Sequence, residues 1–418
     1  MRAQKAVPGL VGLYLWVCAV AAQGQQFDLL IKGGHVIDPR NQIDSVMDVA
    51  ITAGKITQVA AGIPAAQARQ VVNATGLFVT PGLVDIHAHV YYGTEPEAYL
   101  SNGTSSVPPD GFTFRSGVTT VVDAGGSGWR NFRQFKDQVI DQAKTRVLAL
   151  INIVGSGMRG GPVEQNLADM DAKLTAMRIR QHPGLIVGIK TAHYEGPEWD
   201  PVDRAVEAGR MTDVPVMVDF GHFVPQRPFQ ELVLKHLRPG DMYTHTYLGR
   251  VPILDGQGKV MPYLFEARKR GVLFDVGHGA GSFLFRQAVP AVKQGFIPDS
   301  ISTDLHTASM NAGMKDMINV MSKFLNLGMS LQDVILRSTW NPARQIKRPD
   351  LGHLGAGSTA DVAVLSLKKG NFGFIDIGGG KLMGTQKLEC ELTIRDGKVV
   401  WDLNGLASPD WNKMQGQD

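Results

Sequence analysis

Polar residues that can bind a metal ion recur along the middle of the chain, each at the end of a short apolar run. The first are His87 and His89 in the segment Asp85-Ile-His-Ala-His89. Residues two apart on an extended strand share a face, so both imidazoles can reach one ion. Neutral imidazole suits zinc, which in catalytic sites keeps a position open for water. The pair predicts a metal site that suits zinc, with two unrelated histidines near a strand end as the alternative.

Four further polar residues end later apolar runs: Lys190, Asp219, His245 and Asp304. A free ammonium at Lys190, beside a dication, is unfavourable, so we expect this lysine to be deprotonated or modified. Carboxylation would turn it into an anionic oxygen ligand, whereas a lysine that extends to solvent is the alternative. Asp304 can take a proton from ion-bound water, whose pKa is lowered. The alternatives are a helix N-cap for Asp304 and a buried structural role for His245.

Eight apolar runs alternate with helical patterns in the central part of the chain. The runs are 83–87, 118–123, 147–153, 185–190, 214–219, 242–245, 272–276 and 300–304, and helical patterns include 131–143, 167–180 and 262–270. Eight such units predict an α/β fold, a (β/α)8 TIM-type barrel. A doubly wound sheet usually has a Gly-rich first turn, which is absent here. The polar residues then lie at the C-terminal rim, where such barrels have their active sites.

The two ends of the chain have a different pattern. Residues 27–80 and 350–405 contain short alternating runs and turn dipeptides such as Asp396-Gly397, which are typical of hairpins. We expect both stretches to form one small β-sandwich domain, with the barrel at 81–349.

Residues 1–24 have the layout of a secretory signal peptide. Arg2 and Lys5 precede a charge-free stretch whose apolar centre is shorter than the roughly 20 residues that span a bilayer. We expect cleavage and export, to the periplasm or as a secreted protein, with no stable membrane insertion afterwards. An uncleaved anchor and lipidation at Cys18 are the alternatives.

Composition narrows the class of partner. The chain has 418 residues with 42 Lys+Arg against 39 Asp+Glu, and no run of five or six like charges, so a nucleic-acid partner is not expected. A small molecule is the expected partner. The oligomeric state stays open, a homo-oligomer included.

Several longer segments resemble a known family. Val79-Thr-Pro-Gly-Leu-Val-Asp-Ile-His-Ala-His89 resembles the opening of the amidohydrolase superfamily, which includes dihydroorotases, hydantoinases and related deacetylases. Residues 339–343 and 354–364 resemble its barrel exit and its return to the small β domain. Residues 271–283 and 295–304 are similar to the amidohydrolase/deacetylase metallohydrolases. The likeness extends over nearly the whole mature chain.

The resemblance implies a centre with zinc ions, one or two per chain. His87, His89 and Asp304 would hold one ion, His245 and a fifth-strand histidine the other, and carboxylated Lys190 would bridge them with a hydroxide. This metal-bound hydroxide would attack a carbonyl, with Asp304 as base and then as proton donor.

The chain departs from the family pattern at the fifth strand. Asp219 stands where the histidine is expected, and His222 follows three residues later. Either could bind the second ion, because carboxylate oxygen is an acceptable zinc ligand. Asp219 is favoured because it is in register with the other strand ends. If neither reaches the site, a single ion is expected.

Three other residues are candidates for catalysis or substrate binding. His278, between two glycines, is expected to take part in catalysis and to bind substrate or leaving group, with a turn residue as the alternative. Arg159 is the candidate for holding an anionic substrate group. His193 follows the fourth strand and is expected to line the pocket.

Together these features predict an exported metal-dependent amidohydrolase or deacetylase. It would cleave an amide bond, or an ester bond, of a small acylated compound. Two alternatives stay open: a cyclic amidase of the dihydroorotase or hydantoinase type, and a metal-bound binding protein whose catalysis is impaired by the Asp219 change.

Overall fold

The computed structural model describes residues 25–92 and 106–414. The predicted signal peptide at residues 1–24 lies outside the described residues. Within the described ranges, no helix combines the length and the apolar character needed to cross a bilayer.

Strands from both ends of the chain form one eight-stranded sheet. They are β1 (Phe27–Asp38), β2 (Ile43–Thr52), β3 (Lys55–Ala60), β4 (Ala68–Asn73), β5 (Phe78–Pro81), β13 (Val362–Ile375), β14 (Lys381–Arg395) and β15 (Lys398–Asp402). The order is β15-β14-β13-β5-β1-β2-β3, and β4 pairs with β1. The N-terminal and C-terminal strands meet where Val79 of β5 pairs with Val364 of β13. Both side chains belong to one buried apolar cluster that includes Val49 and Leu392.

A second sheet has seven parallel strands in the order β12-β11-β10-β9-β8-β7-β6. They are β6 (Leu83–Ala88), β7 (Val118–Gly128), β8 (Arg146–Asn152), β9 (Ile186–Ala192), β10 (Val216–Asp219), β11 (Met242–Tyr243) and β12 (Leu273–Phe274). Their side chains are almost all buried on both faces, as expected of parallel strands covered by helices.

The eighth predicted strand, 300–304, is not a continuous ladder strand, but it bonds to both edges of this sheet. Val276 N donates to Ser300 O at 3.2 Å on one side, and Asp304 N donates to His87 O at 2.7 Å on the other. Asp304 has a φ of +52°, which interrupts the extended conformation.

Helices surround the two sheets, some packed on the parallel sheet and others on the first sheet. They are α1 (Phe132–Phe135), α2 (Ala172–Gln181), α3 (Asp200–Thr212), α4 (Phe229–Glu231), α5 (Pro262–Lys269), α6 (Phe285–Lys293), α7 (Thr307–Asn311), α8 (Met317–Asn326), α9 (Leu331–Leu336) and α10 (Trp340–Gln345). Two predicted helices differ in extent. The helix predicted at 131–143 is α-helical only over α1, before the wider turn Lys136–Ile140. The helix predicted at 167–180 begins later, because Asp171 caps it by accepting a hydrogen bond from Leu174 N at 2.9 Å.

The hairpin β13–β14 extends from the first sheet to the rim of the second. At its tip, Asp376 Oδ2 accepts a hydrogen bond from Phe285 N at 2.9 Å, and Ile377 N donates to Phe283 O at 3.2 Å. The first sheet therefore contributes residues to the loops that follow β12.

Candidate active site

Three buried side chains from different strand ends meet at the C-terminal rim of the parallel sheet. His87, His245 and Asp304 each offer one ligand atom, and these atoms all lie within 4.8 Å of one another. His87 lies on β6, His245 follows β11, and Asp304 follows β12 along the chain. Parallel strands that start together bring their C-terminal ends to one rim, so residues more than 200 positions apart form one cluster.

Two further predicted ligands adjoin this cluster, each through a direct contact. His89 Nε2 lies 3.0 Å from Asp304 Oδ1. Lys190 Nζ lies 3.0 Å from His87 Nε2 and 2.9 Å from Asp219 Oδ2. The lysine side chain is fully buried, so it does not reach solvent from its strand end.

The tautomer of His87 is determined by its neighbours. Thr244 Oγ1 donates its single hydrogen to Asp275 Oδ2 at 2.8 Å, because a carboxylate only accepts. The hydroxyl oxygen must then accept from His87 Nδ1, which lies 2.9 Å away. His87 therefore presents the lone pair of Nε2 to the cluster, as a metal-ligating histidine does. Burial, together with the charge of Lys190, lowers the pKa of His87 to about 4.

His245 is oriented in the same way by a backbone carbonyl. Its Nδ1 lies 2.6 Å from Gly277 O and must be the donor, so Nε2 faces Asp219 Oδ1 at 3.2 Å. Two acceptors at that distance need a proton or a metal ion between them. Burial opposes protonation of His245, but the charge of Asp219 outweighs it and raises the pKa. The donor set thus fits a divalent cation, which would take the place of that proton.

Both carboxylates of the cluster are ionised despite their burial. Burial raises the pKa of Asp304, but its interactions with the imidazoles of His87 and His89, including a hydrogen bond from His89, outweigh burial and hold the pKa below its usual range. Burial likewise raises the pKa of Asp219, and the charges of His245 and Lys190 hold it well below. Two ionised carboxylates therefore face the place where a cation would bind.

A buried carboxylate beneath the cluster was missed by sequence reasoning. Asp275 accepts hydrogen bonds from Thr244 Oγ1, Ser300 Oγ and Ser302 Oγ, at 2.8, 2.6 and 2.6 Å. It thereby fixes the hydroxyl that orients His87 and ties the segment 300–304 to β12. Its position near the end of the apolar run 272–276 was an available signal.

Asp85 and Asp123 accept hydrogen bonds from the backbone around His87 and His89, at the end of β6. Asp85 Oδ1 accepts from His87 N at 3.2 Å and from Thr303 N at 3.1 Å. Asp123 Oδ2 accepts from Val90 N at 2.8 Å. Because both carboxylates bond to backbone groups, they fix where the strand ends and not the chemistry of the site.

A cavity of about 560 Å³ opens beside the cluster. It is lined by His193, Tyr194, Glu195, Gly221, His222, Leu248, Gly249, Arg250, Gly281, Ser282, Leu284, Arg286 and Ile377. The lining residues come from the loops after strands β9 to β12 and, at Ile377, from the hairpin tip. The volume of the cavity is large enough for a small-molecule substrate.

The structure separates the two candidates for the fifth-strand ligand. Asp219 ends β10 inside the cluster, in contact with Lys190 and His245. His222 is exposed at the cavity wall, and within the described residues its side chain has no hydrogen bond or ion pair with the cluster. The preference for Asp219 therefore agrees with the geometry.

Two of the candidate substrate residues, His193 and Arg159, differ in their position relative to the cavity. His193 lines the cavity, and Nδ1 lies 2.7 Å from Glu164 Oε2. Burial opposes its protonation, but the hydrogen bond to Glu164 raises the pKa of His193 to about 9. Arg159 is exposed on the loop after β8 and is not among the residues that line the cavity.

The ring of His278 is buried and is not among the residues that line the cavity. It is fully buried, stacks on Phe283 with 4.5 Å between ring centroids, and accepts at Nε2 from Lys323 Nζ at 2.7 Å. Burial and the charge of Lys323 hold the pKa of His278 well below its usual value. Its predicted roles in catalysis and in substrate binding stay predictions, and Lys323 is the hydrogen-bond partner that the structure gives the ring.

Known proteins resemble this chain in sequence and in structure. Residues 285–400 match the family model described as the amidohydrolase family. A deacetylase of Agrobacterium fabrum is 33% identical over 328 residues, which cover 75% of this chain and 76% of the relative. A deacetylase of Enterococcus faecalis is 29% identical over 381 residues, covering 89% of this chain and 99% of the relative.

Solved structures of the same architecture cover most of the chain. An adenine deaminase matches with a TM-score of 0.81 and 28% identity, covering 90% of this chain and all of that one. A dihydroorotase matches with a TM-score of 0.76 and 27% identity, covering 90% of this chain and 99% of that one. These neighbours imply a TIM-type barrel for the parallel sheet.

The fold, the buried cluster and these similarities define a metal-dependent hydrolase that acts on carbon–nitrogen bonds other than peptide bonds. The chain belongs to the amidohydrolase family, which confirms the resemblance found in its sequence.

Proposed function

We propose that this protein hydrolyses the amide bond, or an ester bond, of a small acylated compound at the centre around His87, His245 and Asp304. The observation that carries the proposal is the convergence of three buried ligand atoms within 4.8 Å, next to a cavity of small-molecule size. The deacetylase relatives support an acyl group as the part removed.

The ligand assignment follows from the contacts. His87, His89 and Asp304 would hold one divalent ion, and Asp219 with His245 would hold a second. Lys190, if carboxylated, would supply an anionic oxygen to both. Nitrogen and oxygen donors of this kind suit zinc. A bound ion polarises the substrate carbonyl and lowers the pKa of water towards 7.

Asp304 would carry the proton during hydrolysis. Its pKa is held below the usual range, so it is ionised at neutral pH and can accept a proton at a carboxylate oxygen. The attacking water would lose that proton to Asp304 as its oxygen forms a bond to the carbonyl carbon. The carbon–nitrogen bond would then break, and Asp304 would return the proton to the leaving nitrogen. The left-handed backbone at this residue directs the carboxylate to the cluster and away from the strand ladder.

The finer architecture, the domain division and export are parts of the same proposal. Hydrogen bonds from the segment 300–304 to both sheet edges support a closed (β/α)8 barrel at 81–349. The sheet built from strands of both chain ends supports one small β domain at 27–80 and 350–405, and a β-sandwich form of this domain is part of the proposal. Export to the periplasm or outside the cell rests on the layout of residues 1–24.

A cyclic amidase is the second candidate function, and the structural likeness to a dihydroorotase favours it. The test is a screen of zinc-loaded protein against N-acyl amino acids, O-acyl hydroxy acids and cyclic amides. Release of the free acid from linear substrates supports the proposal, whereas ring opening alone supports the cyclic amidase. No turnover of any class by metal-loaded protein would favour a metal-bound binding protein.

A further inference from the structure

A buried carboxylate that the site described above does not use holds a histidine at the cavity wall. The carboxylate is Glu164, whose side chain is 1% exposed, and the histidine is His193, whose side chain is 50% exposed. Their contact joins Glu164 Oε2 to His193 Nδ1 at 2.7 Å. Nδ1 of His193 therefore contacts the buried carboxylate, whereas Nε2 lies on the opposite, less enclosed side of the ring.

The carboxylate is itself held in place, so the ring orientation is determined. Glu164 Oε1 accepts a hydrogen bond from Gly160 N at 2.6 Å, which ties it to the loop after β8. Because a carboxylate only accepts, Nδ1 of His193 is the donor to Glu164. A second-layer carboxylate that orients a histidine is a recurrent device in catalytic sites.

The backbone of His193 has an uncommon conformation. Its φ is +54°, in the left-handed region that most non-glycine residues avoid. Hydrogen bonds maintain it: His193 N donates to Asp219 O at 3.0 Å, and His193 O accepts from Gln165 Nε2 at 2.9 Å. Strained residues cluster at active sites, where the surrounding structure determines them.

The free nitrogen lies next to the cluster. His193 Nε2 is 3.9 Å from Asp219 Oδ2, which is too long for a hydrogen bond. Within the described residues it has no hydrogen-bond acceptor, so it is directed to the cavity. The exposed cavity cations Arg250 and Arg286 lie on later loops, whereas His193 is adjacent to a proposed metal ligand, where the reacting bond would lie.

We propose that His193 is a catalytic residue that donates a hydrogen bond from Nε2 to the substrate carbonyl oxygen as that oxygen gains negative charge, and that Glu164 is the residue that positions it. This inference rests on the proposed function, because it assigns a role within that hydrolysis. A fixed donor aimed at developing charge contributes more to the transition state than to substrate binding.

The test compares His193→Asn with His35→Asn in zinc-loaded protein. Asparagine tolerates the left-handed backbone better than most residues, so His193→Asn removes the imidazole without new strain. His35 is the matched control, because its Nε2 also contacts a carboxylate, Asp44 Oδ1 at 2.6 Å, but on the first sheet. With an N-acyl amino acid as substrate, we expect His193→Asn to lower kcat about 10²- to 10³-fold, with KM within about threefold.

A positioning role for Glu164 predicts a smaller effect of Glu164→Gln. We expect kcat to fall about tenfold with unchanged zinc content and unchanged KM. A higher KM at unchanged kcat in His193→Asn would overturn the inference, since it would show binding of the ground state alone. Equal rates in His193→Asn and His35→Asn would also overturn it.

A binding measurement separates this inference from the proposed function. Methylphosphonate resembles the anionic, tetrahedral state of an acyl group, and we expect its affinity to fall at least about tenfold in His193→Asn but not in His35→Asn. If the wild type hydrolyses no acylated compound, the proposed function fails, yet this loss of affinity would still support His193 as the donor. The assignment of His193 would be overturned if methylphosphonate did not bind to the wild type. It would also be overturned if methylphosphonate bound to His193→Asn as tightly as to the wild type.

Discussion

Replacing Thr244 by valine should weaken metal binding without removing any proposed ligand. The Thr244 hydroxyl donates to Asp275 and accepts from His87 Nδ1 at 2.9 Å. Valine has a similar shape but no oxygen, and the next acceptor, Asp275 Oδ2, is 3.8 Å from Nδ1. The Nδ1–H group then has no partner, and a proton on Nε2, the nitrogen that would bind the ion, is no longer disfavoured.

The magnitude follows from the cost of that lost partner. A buried donor without an acceptor costs about 1–3 kcal/mol, and partners of ligating histidines are typically worth 10- to 100-fold in metal affinity. We therefore expect zinc affinity to fall about 10- to 100-fold, or about 1.4–2.7 kcal/mol. Titration of metal-free protein against a zinc-selective fluorescent chelator measures it.

Thr246→Val is the matched control. Thr246 is equally buried on the same segment, and its hydroxyl donates to the backbone oxygen of Asp275 at 2.8 Å, but it does not contact His87. We expect Thr246→Val to keep wild-type zinc affinity. Equal zinc affinities for both variants would refute the tautomer argument for His87.

Three other expectations concern Asp304, Lys323 and removal of the metal ion. Asp304→Asn in metal-loaded protein should lower kcat about 10²- to 10⁴-fold, and an unchanged rate with a substrate of the wild type would contradict the proton-transfer role. Burial lowers the pKa of Lys323 to about 7, so the unfolded chain binds more protons between pH 7 and about 10.4. The free energy of unfolding should rise with pH across that window, by on the order of 4 kcal/mol from this group. Lys323→Met should remove this part of the pH dependence measured by urea unfolding. Equal pH dependence in the wild type and in Lys323→Met would show that Lys323 is not desolvated. Chelation should lower Tm by several degrees, because an ion at 100 times its Kd stabilises the fold by about 2.7 kcal/mol, whereas an unchanged Tm would indicate that no tightly bound ion is present.

The strand-end positions of the site were predictable from the sequence because they depend on a local pattern. Each of Lys190, Asp219, His245 and Asp304 closes an apolar run, and the C-terminal ends of parallel strands meet at one rim. The choice of Asp219 over His222 followed from register alone, since a strand that ends at Asp219 leaves His222 in the next loop.

The partners of these residues were not predictable, because they depend on contacts between distant parts of the chain. Thr244 lies 157 positions from His87, and Glu164 lies 29 positions from His193. Likewise, the spacing gave no sign that His278 pairs with Lys323, 45 positions later. Hydroxyl and carboxylate side chains are common, so no local pattern marks those that orient a ligand.

The central claim is that hydrolysis depends on metal held by the cluster of His87, His245 and Asp304. The most direct measurement is the rate of acyl release by metal-stripped protein as zinc is added back, with bound zinc per chain determined in the same samples. The rate should be near zero without zinc and rise in proportion to occupancy, reaching its maximum at one or two ions per chain. A metal-stripped preparation that hydrolyses the substrate as fast as the reconstituted protein would contradict the claim.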